Sequence, residues 1–431
     1  MNYFSLNKKA PNTTFKDAVI RGLAPDRGLY FPESITPLSE DFFKNIDALS
    51  HSEIAFEAIK QFVSPEIPEA DLKTIVEETL AFDFPIVELD KNISFLELFH
   101  GPTMAFKDVG ARFMARCLGH FSKEDAKQDV TVLVATSGDT GGAVANGFLG
   151  VEGVNVVILY PSGKVSDIQE KQLTTLKKNI TALEVNGTFD DCQDMVKQAF
   201  LDDDLISKMK LTSANSINVA RWLPQLFYFM FAYKELHKKY DELVFSVPSG
   251  NFGNVCAGMM AQRLGLPVSH FVASNNENNV VTRFLQTEEY SPKPSVQTIS
   301  NAMDVGNPSN FVRIQEIYNN DFKTLKENLS SYSFTDEETK EAMTEIYNEY
   351  SYVADPHGAV GYLGAKKYIE THPNAHCVCL ETAHPTKFLD VVGEVIKENI
   401  ALPPQILSVM DKKKKSIKID TYSDLKNYLL K

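Results

Sequence analysis

One lysine stands in a strongly apolar setting. The stretch "ELFHGPTMAFKDVGARF", residues 97–113, sets Lys107 among Met104, Ala105, Phe106 and Val109. Burying an unpaired charge is costly, and lysine is almost never fully buried without a partner. Asp108 next door either tunes Lys107 or supports a helix start, and support is the favoured role. Thr103 is placed to cap a helix whose apolar face is Phe106, Gly110, Phe113, Met114 and Cys117, at spacings of three and four. Lys107 then falls in the first turns, near the positive end of the helix dipole, where a cation is disfavoured. An apolar wall disfavours it further. Both effects lower a lysine pKa from its usual value of about 10.4, and a neutral lysine suits Schiff-base formation or proton transfer. The plain alternative is a surface charge on a short turn.

Two glycine loops are candidate partners. "SGNFGN", Ser249–Asn254, lies between a β-rich run and a helical pattern. Its Gly250 and Gly253 permit positive φ and close approach of a ligand, and the helix behind them offers unpaired N–H groups to an anion such as phosphate. The Gly-Lys-Ser/Thr of a P-loop is absent, which disfavours nucleotide triphosphate hydrolysis. "ATSGDTGGAVA", residues 135–145, adds the hydroxyls of Thr136, Ser137 and Thr140, suited to a carboxylate. Its glycines do not make the G-x-G-x-x-G of a dinucleotide site. Capped turns explain both loops equally well on sequence alone.

"TSANSINVARWL", residues 212–223, gathers Ser213, Asn215, Ser216, Asn218 and Arg221. A guanidinium matches a pair of anionic oxygens, and the neutral groups add donors; a polar loop with an N-cap is the alternative. "ETAHPTKF", residues 381–388, follows a buried strand, so its polar side chains emerge where open α/β sheets bind ligands. His384 reads otherwise as a turn histidine. A phosphate-binding glycine loop together with a neutral lysine suggests pyridoxal phosphate, which carries an aldehyde and a phosphate.

The elements that must position these groups are legible in the texture of the chain. At 431 residues it has room for two or three domains. Roughly the first 85 residues read as an α-rich unit. From about residue 90, strand, glycine loop and helix alternate, as in "DVTVLVATSGDTGGAVANGFLG" and "DELVFSVPSGNFGNVCAGMMAQRLG". Such alternation implies βαβ units and a largely parallel sheet. Residues from about 310 to 350 read as charged helix, and Lys412–Lys415 as solvated surface.

Composition narrows the function further. With 43% apolar and 23% charged residues the chain reads as globular, and its net charge of −14 disfavours nucleic acid or an anionic membrane as main partner. No signal peptide or spanning segment is evident, and the five cysteines sit at unrelated spacings. Neither a metal site nor a disulfide framework is expected, and a reducing cytoplasm is.

Taken in order, "GLAPDRGLYFP", "LELFHGPTMAFKD", "ATSGDTGGAVA", "LYPSGKVSDIQEKQL", "SANSINVAR", "SVPSGNFGN", "SNAMDVGNPSN" and "ETAHPTKF" resemble the threonine synthases, fold type II pyridoxal-phosphate enzymes, in the longer form of bacteria and yeast. The resemblance implies a parallel-sheet large domain, a smaller α/β domain and an N-terminal extension. The corresponding division is 1–88, 89–390 and a C-terminal segment 391–431. It also implies that Lys107 is the Schiff-base lysine and that Gly250, Asn251, Phe252, Gly253 and Asn254 cradle the cofactor phosphate. Thr382 falls where a hydroxyl meets the pyridine nitrogen, which makes the ring a milder electron sink than a carboxylate would. Asp139 stands where many fold type II relatives carry an asparagine beside the cofactor's 3-hydroxyl. Ser137 and Thr140 are implied for the substrate carboxylate. Arg221, Ser213, Asn215 and Asn218, with Thr103 and Lys164, are implied for the substrate phosphate.

The implied reaction turns O-phospho-L-homoserine and water into L-threonine and phosphate, carried out by a monomer. A threonine dehydratase, a cysteine synthase and a catalytically silent relative are the alternatives within the class. A dinucleotide-dependent dehydrogenase would need the missing fingerprint.

Overall fold

A computed structural model describes residues 1–124, 129–398 and 400–431. Among the described residues fourteen strands form three sheets: β1 (Asn2–Ser5), β2 (Thr13–Thr14), β3 (Tyr30–Pro32), β4 (Ile86–Glu88), β5 (Ile93–Glu97), β6 (Val130–Ala135), β7 (Val154–Pro161), β8 (Ile180–Val185), β9 (Lys210–Ser213), β10 (Leu243–Pro248), β11 (His270–Asn275), β12 (Leu329–Ser333), β13 (His376–Glu381) and β14 (Ile417–Ile419). The larger core sheet runs β12-β11-β10-β13-β5-β4 and is parallel except for β4, which pairs antiparallel at the edge. The smaller sheet runs β14-β8-β7-β6-β9 and is parallel throughout. Helices cover both faces of a parallel sheet, so its strands become near-continuous apolar runs. "VTVLVA" of β6 and "LVFSVP" of β10 are buried at every position.

Each site segment leaves the carboxyl end of a strand. The lysine loop follows β5, the 136–138 loop follows β6, the 214–218 loop follows β9, the 249–252 loop follows β10, and Thr382 follows β13. Two come from the smaller sheet and three from the larger, so the fold itself gathers them.

Three elements escape the sequence pattern. The N-terminal unit has its expected helices but also a three-stranded antiparallel sheet, β2-β1-β3, whose strands of two to four residues are too short to show a period. Within the charged region, Asn319 and Asn320 take positive φ (54° and 58°) and break the helical run, and the edge strand β12, of which only Leu329 is buried, follows. The C-terminal segment supplies β14, which pairs with β8, and a Tyr422–Leu429 helix whose Leu425 and Leu429 join the core of the smaller sheet. Lys412–Lys415 is exposed at every position, as expected of a solvated surface; Lys414 also pairs with Asp167 (3.1 Å) and Glu170, and the Lys415 N–H donates to Thr174 O.

The N-terminal unit is tied to the core by buried Arg313. Its guanidinium donates to Tyr30 O (3.0 Å), Ser216 O (3.1 Å) and Ile217 O (2.7 Å) and lies 4.3 Å from the Trp222 ring centre. This lock lies under the loop that carries Ser216. All five cysteines are free and buried, with Cys377 and Cys379 in one core cluster as their alternation implies. Among the described residues no cluster could hold a metal ion, and no helix is long and apolar enough to cross a membrane.

Candidate active site

The lysine loop is stapled to the end of β13. Phe106 N–H donates to Thr382 O (2.9 Å), His384 N–H donates to Met104 O (3.1 Å), and Ala105 and Ala383 form an antiparallel bridge. Lys107 and Thr382 are therefore held on adjoining backbone. The helix begins at Lys107 and runs to Glu124. Thr103 does not cap it: it stands three residues before the capping position, Phe106, and its N–H (2.9 Å) and hydroxyl (2.5 Å) both donate to the Asp108 carboxylate. Asp108 thus supports the loop, and Gly101 leaves room for it, since a Cβ there would come 2.5 Å from Asp108 Oδ2.

Lys107 is half-buried, with its Nζ 5.4 Å from the Phe106 ring centre. No hydrogen bond or ion pair to a described residue holds that nitrogen. Burial lowers its pKa, Lys387 and Arg221 lower it further, and Asp139 opposes them. This agrees in direction with the sequence analysis, with burial as the main cause.

Asp139 opens the Asp139–Gly147 helix after β6 and is buried. Lys387 Nζ lies 2.5 Å from Asp139 Oδ1, and Gln169 Nε2 donates to the same oxygen (2.9 Å). Burial alone would raise this carboxyl's pKa, but Lys387, Lys107 and the two hydrogen bonds together hold it far below the usual range. Lys387 also donates to Thr103 O (2.8 Å), which ties β13 to the lysine loop a second time. Gly138, at φ 152°, passes so close to Gln169 that a Cβ would come 2.5 Å from its amide nitrogen. Thr136 organises this turn by accepting from the N–H groups of Gly138 (3.0 Å) and Gly141 (2.8 Å). Ser137 and Thr140 are half-buried, and their hydroxyls bond to no described residue.

In the 249–254 loop, positive φ falls on Phe252 (59°), not on a glycine. The glycines are needed for space: a Cβ on Gly250 would stand 2.6 Å from Met303 Cα, and one on Gly253 would stand 3.3 Å from Ser216 Cβ. The side chains of Asn251 and Asn254 are spent on the loop itself. Asn251 donates to Ser216 Oγ (2.8 Å) and accepts from Ser309 N–H (2.5 Å), while Asn254 donates to Pro248 O (2.9 Å). What the loop leaves free is the main chain. The N–H groups of Gly250, Asn251 and Phe252 bond to no described residue, and the first N–H groups of the Gly253–Arg263 helix lack intrahelical partners.

Arg221 is 2% exposed, yet its Nε and Nη1 have no partner. Burial lowers its pKa to about 10, with Tyr228 and Asp108 opposing. Gly110 admits it against the Lys107 helix, where a Cβ would stand 2.5 Å from Arg221 O. Buried polar groups are almost always bonded, so two orphaned guanidinium nitrogens mark a place for an anion. Ser213 and Asn215 line the same loop, bonded to one another (3.3 Å), and Asn215 also donates to Ala135 O (3.3 Å). Asn218 is different. Its amide donates to Val19 O (2.9 Å) and Ser213 O (3.1 Å) and its oxygen caps Ala220 N–H (3.0 Å), so its side chain is already engaged by the fold. Lys164 is exposed on the turn after β7, and no hydrogen bond or ion pair joins it to the cluster.

Sequence reasoning missed Lys387, Gln169 and Asn310, and named Ser216 without its role. Lys387 lay inside "ETAHPTKF", a motif already singled out, but nothing local signals burial of that side chain. Ser216 accepts from both Asn251 (2.8 Å) and Asn310 (3.1 Å), joining the arginine loop to the glycine loop. His384 is confirmed as a turn residue, accepting from Thr386 N–H (3.2 Å).

A family model described as pyridoxal-phosphate dependent enzyme matches residues 78–382, and models for the threonine synthase N terminus and C-terminal region match 2–80 and 358–428. A threonine synthase of Buchnera aphidicola is 41% identical over 433 residues, covering 100% of both chains. The crystal structure of threonine synthase from Escherichia coli superposes with a TM-score of 0.93 at 39% identity, covering 100% of this chain and 99% of that one. The pyridoxal-phosphate-bound threonine synthase of Brucella melitensis gives 0.93 at 33% identity, covering 100% and 98%.

The fold and the site together define a pyridoxal-phosphate-dependent enzyme of fold type II. The residues fit that cofactor: a free lysine amine, a backbone cradle that a Cβ at Gly250 would fill, and an ionised Asp139 beside them. Within this class the chain belongs to the threonine synthase family.

Proposed function

We propose that the chain converts O-phospho-L-homoserine and water into L-threonine and phosphate, the last step of threonine biosynthesis. The observation that carries this reading is buried Arg221 with two unpartnered guanidinium nitrogens, on a loop joined through Ser216 to the glycine loop. The glycine loop provides for the cofactor phosphate, and Arg221 provides for a second anion, which a phosphorylated substrate supplies.

Lys107 would bind the cofactor aldehyde, the N–H groups of residues 250–254 would hold its phosphate, and Thr382 and Asp139 would serve the pyridine nitrogen and the 3-hydroxyl. When bound, pyridoxal phosphate supplies an electron sink for charge at the substrate carbons. Ser137 and Thr140, with hydroxyls free of the protein, take the substrate carboxylate. Arg221, with Ser213 and Asn215, holds the substrate phosphate and stabilises its departure. The Lys107 amine, unprotonated when unlinked, would carry the α proton and then a β proton in turn, returning one to the γ carbon that phosphate leaves and one to the α carbon; water would add its hydroxyl at the β carbon and its other proton would go with the phosphate. Thr103, whose hydroxyl proton goes to Asp108, and exposed Lys164 contribute less directly. The protein works as a cytoplasmic monomer; its net charge of −14 favours solubility and separation of copies.

Phosphate release from O-phosphohomoserine, measured with threonine formation, tests the reaction. Borohydride should fix the cofactor on Lys107, and Lys107→Ala should abolish both the adduct and phosphate release. Undiminished release by that variant would overturn the mechanism, and serine or threonine consumed in preference to phosphohomoserine would overturn the substrate. Sedimentation equilibrium decides the oligomeric state.

A further inference from the structure

Among the described residues Lys387 is the one buried lysine, and nothing in the reaction above uses it. Its ammonium is 2.5 Å from Asp139 Oδ1 and donates to Thr103 O at 2.8 Å. Gln169 donates to the same carboxylate oxygen, so Asp139 Oδ2 accepts from no described residue. A lone carboxylate here would act on Lys107 from a buried position, where charge–charge effects are stronger than in water. Such a charge favours the protonated lysine, the wrong state for a nucleophile or base.

We propose that Lys387 is a positioning residue: it clamps Asp139 by one oxygen, leaves the other for the cofactor, and cancels the charge that Asp139 would otherwise present to Lys107. The pair has no net charge, like an asparagine amide, but offers the stronger acceptor of an ionised carboxylate. Its effects on Lys107 oppose one another as this requires, Asp139 favouring the protonated amine and Lys387 the neutral one. The other charged or titratable groups around the pair are Arg221 and Asp108, both buried, with Tyr228 bonded to Phe106 O and His384 facing Lys387. None of them contacts Asp139, so the balance at that carboxylate rests with Lys387 and Gln169.

The inference rests on Lys107 being the cofactor lysine, and the test separates the two claims. The visible absorbance of the holoenzyme is titrated with pH for wild type, Lys387→Met, Asp139→Asn and the double variant, each checked by thermal melting. Lys387→Met should move the midpoint up by about one pH unit, Asp139→Asn should move it down, and the double variant should return near wild type. Lys387→Arg should restore most of the wild-type midpoint. A purely structural role would not move the two single variants in opposite directions. Should Lys387→Met fail to fold, Asp139→Asn against the double variant carries the test, the double titrating higher. Equal midpoints in that comparison, or an unmoved midpoint in Lys387→Met, would overturn the proposal. Absence of a visible band and of a borohydride adduct at Lys107 in wild type would instead overturn the cofactor assignment beneath it.

Discussion

Replacing Arg221 by methionine should make the protein more stable and nearly inactive. The side chain is 2% exposed and two of its nitrogens, Nε and Nη1, are unpartnered. Each buried unsatisfied donor costs about 1–3 kcal/mol, so a methionine of similar reach relieves at least about 1 kcal/mol. For a chain of this length that is a Tm rise of about 1 °C or more. The same nitrogens, given a phosphate, make two charge-assisted hydrogen bonds worth about 1.5–3 kcal/mol each. Losing both removes about 3–6 kcal/mol of transition-state stabilisation, a fall in kcat/KM of about a hundred- to ten-thousand-fold. Phosphate-release kinetics and melting of the holoenzyme, with and without inorganic phosphate, measure both arms. Phosphate should raise the Tm of wild type and leave that of Arg221→Met unchanged. Wild-type kcat/KM in the variant would refute the assignment of Arg221 to the substrate phosphate. A large loss of stability would refute the view of it as a cation held open for a ligand.

Gly250→Ala should cost about 1–3 kcal/mol and impair cofactor retention, because the new Cβ would stand 2.6 Å from the main chain at Met303; absorbance of retained cofactor after gel filtration checks this. Glu381 is fully buried with neither carboxylate oxygen partnered, and burial, with Asp355 beside it, raises its pKa well above the ordinary value of 4.5. A carboxyl kept protonated in the fold contributes stability below its unfolded pKa and loses it as pH rises toward the folded one. Glu381→Gln should therefore melt with wild type near pH 4 and increasingly above it toward pH 8, and a constant difference across that range would contradict the assignment.

Local chemistry determined much of this protein. Parallel strands covered on both faces need continuous apolar runs, and the loops after them need glycine, so β6, β10 and the helices behind them can be read from a few consecutive residues. Lys107, the glycine loop and Arg221 were visible because each is a residue type at odds with its neighbours. Other features depend on residues far apart in the chain, which no periodicity links. The very short strands β1 to β3 and the edge strand β14 exist because distant segments pair with them. Gly250 and Gly253 were expected to supply positive φ, but Phe252 takes it, because the crowding that demands glycine comes from Met303 and Ser216. Asn218 resembled its neighbours in composition, and only the approach of Val19 shows that its amide is already bonded. The sequence by itself determined the chemical types at the site and the strand ends that carry them. Only the tertiary structure decided which groups remain free, because hydrogen bonds and burial are settled by whatever segment folds against them, and that is how Lys387 came to stand beside Asp139.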